Sequence, residues 1–142
     1  MSCARFRPQA IPSPPGGQFV DGYWAEAVVR SSELGRDWYL AGAWLDTPAG
    51  AVDWLHDRAA RLVSALETSD RANTGHTPHP VAAVFREWSA DTVFRSVQCA
   101  ALADLHPISA NARGRDRVQG SVEADVLYSL SARPILRPSP RG

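Results

Sequence analysis

The residues best placed for chemistry are His56 and the two carboxylates beside it, Asp53 three positions before and Asp57 one after. A carboxylate at that spacing can hold an imidazole and raise its pKa, which is the arrangement of a general acid/base pair. Such catalysis also requires a nucleophile or oxyanion donors. The chain carries no G-x-S-x-G elbow, phosphate loop, dinucleotide fingerprint, CxxC or HExxH motif. His56 therefore reads first as a histidine at the rim of a core, hydrogen-bonded to one neighbour. Asp53, His56 and Asp57 remain the candidate catalytic set of a small enzyme. Cys99 lies in an apolar stretch and reads as an inert core thiol.

His76 and His79 form an H-x-x-H pair in the polar connection SDRANTGHTPHP, residues 69–80. Zinc takes three or four preset ligands. The connection supplies two, so His76 and His79 are minor metal candidates beside a plainer reading as solvated turn residues, and no cofactor is expected.

Arg113, Arg115 and Arg117 alternate through ISANARGRDRVQG, residues 108–120, which reads as an exposed loop able to grip phosphates. Asp116, in their midst, opposes that use. A helix from about 80 to 88, a break at Ser89-Ala90-Asp91 and a helix over about 90–105 also have the lengths of a helix-turn-helix. The second of these helices offers few polar side chains, and the turn lacks glycine. Nucleic-acid binding is accordingly the runner-up. A protein partner, or a second copy of the chain, asks for no missing motif and ranks first. Its expected contact face is Trp54 with Arg58 and Arg61, because a large aromatic on a polar helix face must be covered by something.

The element that must position these groups is DTPAGAVDWLHDRAARLVSALETS, residues 46–69. Asp46 or Thr47 can cap it, Pro48 suits the first helical position, and Val52, Leu55, Ala59, Leu62, Val63 and Leu66 share one stripe. Residues 21–45 show a helical stripe too, from Trp24 through Val28 and Trp38 to Leu45, with a bend at Gly35; a strand over WYLAGAWL, residues 38–45, is the competing reading. A last helix is expected from Ser121 to about Ala132. These spacings predict an all-α fold: a compact bundle of four or five helices around residues 48–67. The expected domain is 21–133, between a disordered Pro-rich arm (1–20), where Pro12 and Pro15 make a chance PxxP, and a disordered tail (134–142).

Composition narrows the classes. A chain of 142 residues suits one domain that hides roughly two-thirds of its unfolded surface. Fifteen arginines balance fifteen carboxylates, without lysine, so net charge announces no polyanion partner. Residues 21–70 hold nine carboxylates against four arginines, and residues 71–142 hold nine arginines against six carboxylates. Complementary halves of this kind suit contacts within the fold or between copies. The arginine and alanine usage is that of a GC-rich, bacterial-like genome. There is no 18-residue apolar run and no secretory pattern. A cytoplasmic protein with Cys3 and Cys99 both reduced is expected.

Overall fold

The structure is a computed structural model describing residues 18–73, 79–119 and 122–139. Two pairs of strands flank three helices in the order β1 (Gln18–Ser31), β2 (Arg36–Leu45), α1 (Pro48–Asn73), α2 (Pro80–Ala90), α3 (Thr92–Ala103), β3 (Ile108–Gln119) and β4 (Val122–Pro138). The strands form one antiparallel sheet in the order β2-β1-β4-β3, so the first and last strands of the chain are its centre. All three helices cover one face of it.

This overturns the all-α bundle. Both stretches expected as helix at the two ends of the domain alternate with a period of two. Tyr23, Ala25, Ala27, Val29 and Ser31 are buried along β1, and Ala124, Val126, Tyr128, Leu130 and Ala132 along β4. Alanine explains the difference. It is the strongest helix former and is depleted in strands. Here it paves the covered face, where its small side chain lets helices lie close on the sheet. Leu55 of α1, Phe85 of α2 and Leu102 of α3 fill the space between the layers, with no exposed surface. Each such side chain contributes roughly 1.5–3 kcal/mol.

Gly35, expected to bend a helix, has φ +63° and closes the β1–β2 hairpin, with its N–H donating to the Ser32 carbonyl at 3.3 Å. The strand reading of residues 38–45 holds, on an edge. Along β2 the register with β1 slips between Ala27 and Val28, leaving Leu40 without an opposite residue. Residues 108–119, expected as a loop, form β3, the other edge. β1 begins at Gln18 and β4 runs to Pro138, beyond the expected limits of 21 and 133. Pro134 and Pro138 are tolerated there because β3 pairs no further than Ala132, so β4 lacks its second neighbour at that end.

α1 keeps the expected start and stripe. Thr47 Oγ1 accepts from the Gly50 N–H at 3.0 Å, and Val52, Leu55, Ala59 and Leu66 are buried. The break between α2 and α3 falls at Asp91, whose carboxylate caps α3 by accepting from the Phe94 N–H at 2.9 Å. α3 ends in a Schellman pair, His106 N–H to Ala101 O and Leu105 N–H to Leu102 O. Leu105 occupies the left-handed position, at φ 68°.

Candidate functional site

Three places gather the groups singled out above. The first is the junction of the helices. His56 is 4% exposed, stacks on Trp88 of α2 with ring centroids 4.1 Å apart, and meets Gln98 Oε1 of α3 through Nε2 at 3.1 Å. With an oxygen as partner, Nε2 carries the proton and Nδ1 is bare. Burial holds the imidazole below its ordinary pKa, and the nearby Arg95 adds to this against the opposing effects of Gln98, the Ser89 backbone and Asp53. The Ser89 backbone does not close a hydrogen bond on Nδ1, which stays without a partner, as do Trp88 Nε1 and Arg95 Nε. The carboxylates beside His56 turn elsewhere: Asp57 to Arg61 at 3.0 Å and Asp53 toward Arg95 at 3.6 Å. The candidate catalytic set is thus not assembled around the ring. Gln98, its real partner, lies 42 residues away on another helix and has no signal in the local sequence.

The second place is the start of α2. His79 caps this helix, its Nδ1 accepting from the Val81 N–H at 3.2 Å while Nε2 faces Asp116 of β3 at 3.5 Å. Asp116 also accepts from the Tyr128 hydroxyl and from the Arg117 N–H at 2.8 Å. Burial, then Asp116, pushes the Tyr128 phenol well above the tyrosine range. Nδ1 caps α2, while Nε2 closes no hydrogen bond and faces the Asp116 carboxylate of the sheet. His76 lies outside the described residues. Among the described residues no group of three or more metal-binding side chains occurs.

The third place is the face of the sheet that no described helix covers. Phe19, Tyr39 and Trp44 are 41%, 59% and 43% exposed and lie on the side away from the helices, with the partly buried Trp24. Trp24 and Trp44 are directly opposite across β1 and β2. Each leans over a glycine of the other strand. A Cβ on Gly22 would stand 2.5 Å from Trp44 Cζ2, and one on Gly42 would stand 2.6 Å from Trp24 Cζ2. The two glycines therefore let both indoles lie down on the backbone. Trp24 Nε1 donates to Glu26 at 2.9 Å.

Alternation in β3 carries Arg113, Arg115 and Arg117 onto this same open face. Arg115 meets Glu33 at 3.2 Å and Glu123 at 3.8 Å, and Arg113 meets Asp125 at 4.0 Å. The Asp125 N–H, ahead of Arg115, holds the Glu33 carboxyl below the usual carboxylate range. Arg30 pairs with Asp37, and Arg137 with Asp21. Of the six arginines on the open face, only Arg117 and Arg133 have no ion pair among the described residues.

On the helical side, Trp54 packs partly against the core with the Arg58 guanidinium 5.0 Å above its ring, and Arg61 is tied to Asp57. α3 buries only Gln98, Cys99 and Leu102; Val93 is 74% exposed and Val97 54%. Apolar side chains are not what a recognition helix presents to DNA. Cys99 is disulfide-bonded, against the expectation of a reduced thiol. Cys3 lies outside the described residues. No described helix is long and apolar enough to cross a membrane. No family model, curated protein or solved structure matches the chain.

Proposed function

We propose that the chain is a non-catalytic docking protein that binds another protein through the uncovered face of its sheet. The observation that carries this reading is the set of large aromatics, Phe19, Tyr39 and Trp44, held exposed on a face that no described helix covers. Scattered surface hydrophobes are normal, whereas a group of aromatics on one flat face has the composition of an interface centre. The buried histidines favour a non-enzyme: His79 spends its Nδ1 on capping α2, and His56 is closed in by Trp88 and Gln98. The same reading places the protein in the cytoplasm. The Cys99 disulfide weighs against that placement, since such bonds persist mainly in oxidising compartments.

The test is capture from a nuclease-treated extract of the native host on immobilised chain, comparing wild type with Tyr39→Asp and Trp54→Ala. A stoichiometric protein retained by wild type and Trp54→Ala but lost with Tyr39→Asp is the expected result. Loss with Trp54→Ala alone moves the contact to Trp54, Arg58 and Arg61. Recovery of nucleic acid instead, removed by nuclease and by moderate salt, would favour Arg113, Arg115 and Arg117.

A further inference from the structure

We infer that the occupant of the open sheet face is a second copy of this chain, packed face to face across a twofold axis. The inference rests on the docking reading above and names its partner. Four strands at about 4.8 Å spacing and about ten residues at about 3.3 Å rise give a face of roughly 600 Å². Two such faces bury about 1,200 Å² in total, the lower bound for a stable specific interface. Gly22 and Gly42 let Trp44 and Trp24 lie flat on the backbone. A flat surface suits another sheet, which packs at about 10 Å, better than an inserted helix or loop.

Charge points the same way. Four of the six arginines on this face are already paired with Asp21, Glu33, Asp37, Glu123 or Asp125. The face therefore offers no field that would select a polyanion or a strongly acidic partner, and an identical copy meets no net repulsion. A twofold contact is isologous, so the aromatic half around Tyr39 and Trp44 can meet its own equivalent. Edge pairing through β2 is the less suitable route to a dimer. Leu40 interrupts the register in mid-strand, a device that protects edges. β3, the other edge, carries Arg113, Arg115, Asp116 and Arg117.

The experiment is sedimentation velocity on the full chain from about 1 to 100 µM, the range that brackets a micromolar dissociation constant. The expected species has twice the 15.4 kDa chain mass. Tyr39→Asp and Phe19→Asp should each raise the dissociation constant at least ~10-fold, as loss of a buried aromatic contact does. Val93→Asp on α3 should leave it unchanged. Circular dichroism of each variant checks that the fold persists, and Trp44→Ser serves as a further probe of the face. A dimer broken by Val93→Asp but not by Tyr39→Asp would overturn the inference, because the helices would then be the interface. A wild-type monomer throughout the range overturns it too. If that monomer still captures a different protein in a Tyr39-dependent way, the docking reading survives without the second copy; if it does not, both fail.

Discussion

Replacing His56 with leucine probes the buried polar pair that joins the three helices. The ring is held neutral in the fold, with a pKa below its ordinary 6.5. The unfolded chain therefore binds the extra proton more readily. The stability contributed by the neutral ring is intact above the unfolded value and is lost as pH falls through 6.5 toward the lowered folded value. If the folded ring took up no proton at all, the loss between about pH 7.5 and pH 5.5 would be about 1.4 kcal/mol, one pKa unit's worth. Asp53 and Arg95 beside the ring reach solvent, so the realised loss lies below that ceiling. His56→Leu removes this pH dependence, but it strands the amide of Gln98, which is 3% exposed. An unpaired buried amide costs about 1–3 kcal/mol. Adding Gln98→Leu should recover most of that loss, because removing both partners leaves nothing unsatisfied. The assay is urea denaturation of wild type, both single variants and the double variant at the two pH values. A wild-type slope with pH in His56→Leu, or a double variant no more stable than His56→Leu, would rule out this role for the buried pair.

Other outcomes follow from single positions. Leu105 pays the left-handed penalty for a branched side chain, so Leu105→Gly should raise stability by about 1 kcal/mol, read as a higher denaturation midpoint; a lower midpoint would mean that its side-chain contacts outweigh the backbone strain. Tyr128→Phe removes a hydrogen bond to the Asp116 carboxylate and should cost about 1.5–3 kcal/mol near neutrality. Because the phenol's folded pKa is raised, wild type should also lose stability as pH climbs above 10, and Tyr128→Phe should lose less; an equal loss in both would exclude Tyr128 as the cause. Thiol titration of unfolded, unreduced protein should find Cys99 blocked, with two thiols appearing after reduction. Two reactive thiols before reduction would contradict the disulfide and support a reducing compartment.

The candidate site was legible only in parts. The strand reading of WYLAGAWL already contains the open face, since alternation sends Trp44 and Tyr39 to the side opposite Leu45 and Trp38 once the slip at Leu40 is allowed for. That slip is a pairing irregularity between β1 and β2, and nothing in either strand alone announces it. In a loop, the alternate spacing of Arg113, Arg115 and Arg117 fixes no common face. In a strand the same spacing aligns them on one face, opposite the acids of β4 that occupy two of them. For His56 the neighbours in sequence suggested carboxylate partners, while the helices brought Gln98 and Trp88 from 42 and 32 residues away.

Local chemistry determined what local forces control. Thr47 and Pro48 start α1, and its 3.6-residue stripe selects the buried face. The identity of residues 18–31 and 122–138 as central strands was decided only by tertiary structure. Their alanines favour a helix in isolation, by a few tenths of a kcal/mol per residue over most alternatives. Pairing β1 with β4 across more than ninety residues of chain outweighs that preference. It satisfies the backbone hydrogen bonds of both strands and places the alanines under α1, α2 and α3, where a larger side chain would hold the helices off the sheet.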